Sequence, residues 1–372
     1  MLGEMEGIVN MEKTLFMDAS TRRIPINGSV ELLPLCNMNC DMCYVRLSKR
    51  EMEKKGGLTT ISHWLSIARQ MQKSGVLFLL LTGGEPLMYP DFKQLYLELL
   101  NLGMILTINT NGTLIDEAWA EFFGKHKPRR INITLYGPDE QAYSTLCHYP
   151  GGYDKVLKAV QLLKGQNVDV KLSSSITKAN QQDVERMAAI GDELGVPVRM
   201  DTYMMPAIRE REKPYDQQSR LDPISAARAR ITALKCEMKE ELFSNFAKEA
   251  VNWVDTTEEI ETVPGKMSCF AGKCSFTINW QGMMRPCVIL HEPEISVFEV
   301  GFEEAWRYIT EETERIWLNA KCSSCRLRSL CRTCAASALL EEGRYDAVPE
   351  YMCQYAKESY RLLCKEINVD KD

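Results

Sequence analysis

The chain has 372 residues, 45% of them hydrophobic and 26% charged, which suits about two folded domains with a sizeable core and excludes wholesale disorder. Its net charge is −6 with no basic block, which speaks against a nucleic-acid binder driven by phosphate neutralisation. The longest purely aliphatic and aromatic run, Val76–Leu81, is far short of the roughly 18 residues of a membrane span, and the N-terminus lacks the apolar stretch of a secretory signal. A cytoplasmic protein with neither membrane nor nucleic acid as partner is expected.

From about Ser29, short apolar runs alternate with longer amphipathic ones. Strands are predicted over Val30–Leu35, Val76–Thr82, Met104–Asn109, Ile131–Tyr136, Val168–Ile176 and Val198–Tyr203, apolar enough to be covered on both faces. Helices are predicted between them over Ile61–Lys73, Phe92–Leu102, Glu117–Phe123, Lys155–Lys164 and Gln182–Leu194. Thr59 or Thr60 can cap the first, and Gly75, Gly103 and Gly195 are placed to end three of them in left-handed conformations. The alternation implies parallel pairing with right-handed crossovers, an α/β fold curled into a partial (β/α)6 barrel, with the site at the C-terminal ends of the strands.

The pattern breaks near Pro206. Arg209–Arg220 is charged, contains Pro214, and reads as a solvated surface loop. Pro223 opens a predicted helix to about Trp253, and from Pro264 onward the chain is cysteine-rich with short elements. The expected division is an N-terminal extension over 1–27, a barrel over 28–225, a helical linker over 226–262 and a cysteine-rich domain over 263–372. No internal repeat or low-complexity tract occurs.

The chain has 14 cysteines and 4 histidines, and without an export signal, grouped thiols point to metal rather than disulfides. Cys36, Cys40 and Cys43 directly follow the first predicted strand. Three thiolates can hold one soft metal centre, but a tetrahedral zinc site needs a fourth ligand and the nearest histidine is His63. A four-iron cluster on three cysteines instead leaves one iron open for chemistry. Zinc completed from elsewhere in the chain is the competing reading.

The Cys-x3-Cys-x2-Cys spacing resembles the radical S-adenosylmethionine (SAM) superfamily. Two stretches at later strand ends strengthen the resemblance: Thr82-Gly83-Gly84-Glu85-Pro86 and Thr110-Asn111-Gly112-Thr113. Adjacent glycines permit close backbone approach to a ligand. The resemblance implies a partial barrel that cleaves SAM reductively to a 5′-deoxyadenosyl radical. It implies a cluster on Cys36, Cys40 and Cys43, and SAM contacts from Gly83, Gly84, Glu85, Thr110 and Asn111. Thr134 stands where relatives carry a SAM-contacting Ser, and Arg199 is a candidate for the carboxylate or adenosine. This chain departs from the pattern in two places. Met42 precedes the third cysteine where relatives place an aromatic, with Tyr44 after it, and Leu146-Cys147-His148 lacks the usual arginine.

In the last third, Cys269, Cys274, Cys287, Cys322, Cys325, Cys331, Cys334 and Cys353 form a long ordered series. By spacing alone, paired Cys-x2-Cys units fit zinc ribbons as well as iron–sulfur sites. The series resembles the SPASM domain of peptide- and sulfatase-maturing enzymes, departing only in the two residues before Cys334 where three are usual. That resemblance implies auxiliary cluster I on Cys269, Cys274, Cys287 and Cys334 and cluster II on Cys322, Cys325, Cys331 and Cys353, hence three 4Fe-4S clusters in all. Cys147, Cys236 and Cys364 read as buried apolar residues. Tyr203 and Met204-Met205 are placed to line a substrate entrance or, more simply, to pack.

SPASM relatives mostly modify peptide or protein side chains. Val288 follows Cys287 where sulfatase maturases carry Asp, so that activity ranks lower. About 35 residues precede Cys36, too few for a winged-helix leader-binding domain. The expectation is maturation of a precursor peptide or protein, with thioether or crosslink formation ahead of decarboxylation. Expected partners are the precursor, a separate leader-recognition protein where the leader is not bound directly, and an electron donor such as flavodoxin or ferredoxin. The alternatives are a radical dehydrogenase of a sugar or aminoglycoside, and a non-enzymatic, metal-stapled binding protein.

Overall fold

A computed structural model describes residues 2–205, 209–211, 216–258, 264–331 and 333–368, with side chains from Met11 onward. Six strands alternate with helices: β1 (Asn27–Glu31), β2 (Phe78–Thr82), β3 (Ile105–Thr110), β4 (Arg130–Thr134), β5 (Val170–Ser175) and β6 (Val198–Asp201). They pair in parallel in chain order, as the alternation predicts. Gly75, Gly103 and Gly195 all have positive φ where the helices before them end. Thr60 sits at the start of Ile61–Lys73, but its hydroxyl bonds Ser62 and His63 rather than the helix backbone.

β1 ends before its predicted limit. Leu32 and Leu33 are fully buried, but Leu32 N–H goes to Thr82 O and Leu33 O accepts from Gly84 N–H, so this apolar stretch docks on the loop after β2. The strands are also not apolar on both faces. Leu79, Leu81, Leu106, Ile108, Ile131, Ile133, Leu172 and Met200 pack under the helices in the main core. Ser29, Glu31, Thr82, Asn109, Asn132, Thr134, Lys171, Ser173 and Arg199 alternate with them and, by register, share the opposite face. That polar lumen was written in the alternation of stretches such as Thr107-Ile108-Asn109-Thr110 and Val198-Arg199-Met200-Asp201.

The cysteine-rich part adds β7 (Gly265–Lys266), β8 (Ser275–Ile278), β9 (Met283–Arg285), β10 (Ile295–Ser296) and β11 (Trp317–Leu318). β8 pairs in parallel with β1, so one nine-stranded sheet runs β10-β9-β8-β1-β2-β3-β4-β5-β6, while β7 and β11 form a separate pair. The expected boundary between barrel and cysteine-rich segment is therefore bridged by hydrogen-bonded strands.

The expected linker is two helices, Pro223–Glu237, capped by Asp222, and Glu240–Thr256. The first packs its alanines into the main core and closes the open edge of β6. Glu237 Oε1 accepts from Met200 N–H at 2.8 Å and Arg230 Nη1 donates to Met200 O at 2.9 Å, so side chains occupy the edge a further strand would take. Among the described residues, no helix is long and apolar enough to cross a membrane.

The seam between β1 and β8 leaves no room at Gly28, where a Cβ would meet the Phe276 ring at 2.3 Å. That ring packs edge-on against Phe302 at 5.1 Å. Gly28→Val should cost about 1–3 kcal/mol by overpacking, and adding Phe276→Leu should recover part of it. Denaturant unfolding of the two variants and the double mutant checks this, and simple additivity would contradict it.

Candidate functional site

The loop from Leu32 to Ser48 carries Cys36, Cys40 and Cys43 and is irregular, so its shape depends on what it is tied to. Gly83 has φ +140 and its Cβ would meet Leu33 O at 2.5 Å, while a Cβ on Gly84 would meet Leu35 O at 2.1 Å. These glycines are required by close packing of two chain segments, not only by approach to a ligand. Gly84 N–H donates to Leu33 O at 2.7 Å and Glu85 N–H to Leu35 O at 2.8 Å.

Glu85 is wholly buried. Its carboxylate accepts from Thr110 Oγ1 at 2.7 Å, Asn111 N–H at 2.8 Å and Leu87 N–H at 3.1 Å. Burial pushes its pKa up to about 7, against the lowering by those three donors. The carboxylate expected to contact SAM is thus engaged within the chain, tying the loop after β2 to the loop after β3. From there Asn111 Nδ2 reaches Asn37 Oδ1 at 2.8 Å and Cys36 Sγ at 3.6 Å, and Asn37 Nδ2 reaches Thr113 Oγ1 at 2.8 Å. The three segments that resemble the superfamily are one hydrogen-bonded unit.

Backbone N–H groups point at the sulfurs: Met38 donates to Cys36 Sγ at 3.4 Å and Arg46 to Cys43 Sγ at 3.3 Å. Burial raises the Cys36 thiol to about 12, and Glu85, Cys40 and Cys43 add to this by charge; burial likewise raises Cys43. Cys40 is lowered, chiefly by a hydrogen bond from Cys147. The stretch Leu146–His148 lies along the loop: Asn39 N–H bonds Cys147 O, Asp41 N–H bonds Leu146 O, and His148 Nε2 meets Asp41 Oδ1 at 2.9 Å. Cys147 is buried as expected, yet it is also a neighbour of the cysteine loop, which sequence reasoning missed. Three thiols gathered on one loop, two of them raised by burial and mutual charge and so favoured as thiolates only on a metal, with N–H groups aimed at sulfur, fit an iron–sulfur cluster. Among the described residues no three His, Cys, Asp or Glu converge as ligands of a single metal ion would.

The charged segment read as a solvated loop is the clearest correction. Arg209 and Glu31 are almost completely buried and pair through both guanidinium nitrogens at 2.6 Å each. Arg209 lies 5.3 Å from the centre of the Tyr44 ring and donates to Val288 O at 3.5 Å. Arg211 donates to Asn39 Oδ1 and Cys40 O, and Glu210 accepts from Trp280 Nε1. Further on, Arg220 pairs with Glu341 and stacks on Tyr351 at 3.9 Å. Tyr203 donates to the same Glu341 at 3.0 Å, so it packs between the two parts of the chain. Pro206 and Pro214 lie outside the described residues.

Thr134 ends β4 half-buried on the lumen face; Arg199 is exposed on the same face of β6, at the far edge of the parallel run. In the last third, Cys322, Cys325, Cys331 and Cys353 line one cavity of about 640 Å³ together with Lys321, Arg328 and Lys357. Four thiols with three cations and one acid, Glu350, around them fit an anionic, fully ligated cluster. Cys287 is raised to about 11 by burial, with Cys334 and Cys269 adding by charge, so these three stand within electrostatic reach. Cys274 does not join them. It opens β8 facing the N-terminal helix, packs with Ala19 and Ile26, and donates to Phe16 O at 3.7 Å. Cys364 is buried as expected, but Cys236 is exposed.

Replacing Glu85 with Gln keeps an oxygen for the Thr110 hydroxyl and the Leu87 amide but sets an NH2 against Asn111 N–H, and should cost about 1–3 kcal/mol. In apo protein, the folded state keeps the Glu85 proton up to about 7 while an ordinary carboxyl releases it near 4.5. Stability from this group is therefore full below about 4.5 and lost as pH rises through about 7; Glu85→Gln should remove that slope, as urea unfolding against pH would reveal. Cys274→Ala should leave bound iron unchanged, whereas Cys287→Ala and Cys325→Ala should each lower it on metal analysis.

Comparison with known proteins agrees with this geometry. Residues 30–191 match the model of the Radical SAM superfamily. An AdoMet-dependent heme synthase of Methanosarcina barkeri is 23% identical over 337 residues, covering 85% of this chain and 92% of that one. A PqqA peptide cyclase of Granulibacter bethesdensis is 28% identical over 176 residues, 47% of this chain and 46% of the other. Among solved structures, Streptococcus suis SuiB bound to precursor peptide SuiA superposes with a TM-score of 0.65 at 17% identity, covering 92% of this chain and 80% of that one, a likeness of fold. With its cysteine loop and its second and third strand ends all inside the matched segment, the chain carries a Radical SAM domain over residues 30–191.

Proposed function

We propose that this enzyme cleaves SAM reductively and uses the resulting radical to take hydrogen from a peptide or protein side chain, acting in the cytoplasm. The observation that carries this reading is the network from Glu85 through Thr110 and Asn111 to Cys36, which holds the cysteine loop against both neighbouring strand ends. Cys36, Cys40 and Cys43 would hold a four-iron cluster, which would supply reducing power and a binding position for SAM. The chain's own part is to hold and shield. Asn111 and the Met38 and Arg46 amides give hydrogen bonds to sulfur. The Gly83–Gly84 backbone and Thr134 line the neighbouring strand ends, and Arg209, paired with Glu31, packs over Tyr44 next to Cys43.

In this reading residues 28–225 form the catalytic barrel and 263–372 an auxiliary domain. Cys322, Cys325, Cys331 and Cys353 hold one auxiliary cluster; Cys269, Cys287 and Cys334 hold a second without Cys274. A flavodoxin or ferredoxin delivers the electron, and a separate protein or the enzyme itself binds the precursor's leader. The peptide class is supported by the PqqA peptide cyclase relative and by the fold shared with SuiB, solved with its precursor peptide. A second reading, a tetrapyrrole substrate, is favoured by one observation: the heme synthase relative spans 92% of its own length in the match, the peptide cyclase 46%.

Anaerobic reconstitution followed by dithionite and SAM tests the proposal. About twelve irons per chain and released 5′-deoxyadenosine are expected, with release abolished in Cys36→Ala. Folded, reconstituted protein that yields no deoxyadenosine would refute the radical chemistry. A mass change in a precursor peptide, or in a porphyrin, then separates the two substrate classes.

A further inference from the structure

The lumen face of the sheet has an unbalanced charge at β5 and β6. Lys171 stands in register with Asn132 on β4, and Arg199 with Ser173, two residues on from Lys171. Residues two apart on one strand share a face, so Lys171 and Arg199 are diagonal neighbours within reach of one small group. Lys171 is partly buried and Arg199 exposed, and among the described residues neither makes an ion pair or hydrogen bond. The acids nearby do not neutralise them. Asp169 is held by Arg130 at 2.9 Å, and Asp201 acts on Lys171 more weakly than either Arg130 or Arg199 does.

Beside this pair lies an orphan of the opposite kind. Asn132 donates through Nδ2 to Asn109 Oδ1 at 2.8 Å, but its own Oδ1 is buried without a partner. A buried acceptor left unpaired is costly, and so is a partly desolvated cation without a counter-charge. Both are relieved by one ligand group: an anion with a hydrogen-bond donor next to it. The planar guanidinium of Arg199 and the ammonium of Lys171 suit a carboxylate.

We propose that Lys171 and Arg199 receive a carboxylate of the substrate in the barrel lumen, with Asn132 Oδ1 accepting from an adjacent N–H. This rests on the reading that the substrate enters the lumen, and it narrows the substrate to one bearing a carboxylate. A Glu- or Asp-containing peptide and a carboxylated tetrapyrrole both offer that chemistry. It also gives Arg199 a role toward substrate rather than toward SAM.

Reconstituted protein is titrated by fluorescence with dansyl-Glu-Glu and dansyl-Gln-Gln, and by absorbance with a porphyrin dicarboxylate and its dimethyl ester. At least one acid should bind about tenfold more tightly than its neutral counterpart, the order expected for one charge-assisted hydrogen bond. Which pair shows the difference tells peptide from tetrapyrrole. Lys171→Gln and Arg199→Gln should each erase the preference, and Lys171→Arg should keep it. Equal binding of acid and neutral probes, absence of binding by both acids, or a preference that survives both Gln variants would overturn the proposal. Deoxyadenosine release by the same preparation is scored separately, so loss of the carboxylate preference with intact SAM cleavage refutes this site alone.

Discussion

A single buried carboxylate organises the catalytic end of the barrel. Glu85 is withdrawn from water and meets three donors from two different loops, so those loops cannot move apart without stranding it. The cysteine loop has no regular structure of its own, and its fixed points are borrowed from this arrangement through Asn111 and Asn37. Glycines at 83 and 84 make it possible by letting the backbones approach to hydrogen-bonding distance. Preorganisation of this kind matters for thiols that burial and mutual repulsion discourage from ionising until a metal centre arrives.

The second constraint is the joining of barrel and cysteine-rich segment. They share a sheet through β1 and β8, the buried Arg220–Glu341 pair crosses between them, and the buried Arg209–Glu31 pair ties the segment after β6 to β1. Buried pairs add little net stability over apolar packing, but removing one partner strands a charge and typically costs about 3–5 kcal/mol. They therefore fix one relative arrangement of the parts. Arg209 also links the residue after Cys43 to the residue after Cys287, through the Tyr44 ring and the Val288 carbonyl. A fixed spacing between the loop of Cys36, Cys40 and Cys43 and the segment of Cys287 follows from those contacts.

The lumen shows the usual division of labour in an α/β barrel, with the apolar face used for folding and the other left for chemistry. Polar side chains occur on that face in every strand from β1 to β6: Ser29 bonds Thr277, Glu31 pairs with Arg209 and Asn132 donates to Asn109. Lys171, Arg199 and the Asn132 oxygen, which lack such partners, lie together, where unmet polar demand favours recognition over stability.

By itself the sequence determined the α/β order, the helix ends at Gly75, Gly103 and Gly195, the three cysteines after the first strand and the two supporting strand ends, because each depends on local spacing and backbone preference. It also carried the lumen's polarity, as alternation within apolar-looking strands. Only the tertiary structure decided that Glu85 serves the scaffold, that Arg209 is buried, that Cys147 adjoins Cys40 and that Cys274 packs away from Cys287. A charged stretch such as Arg209–Arg211 looks solvated until its partner is known, and Glu31 lies 178 residues away. Likewise four cysteines in order define a set, but which thiols meet depends on the side of a strand each one faces, and Cys274 turns toward the N-terminal helix.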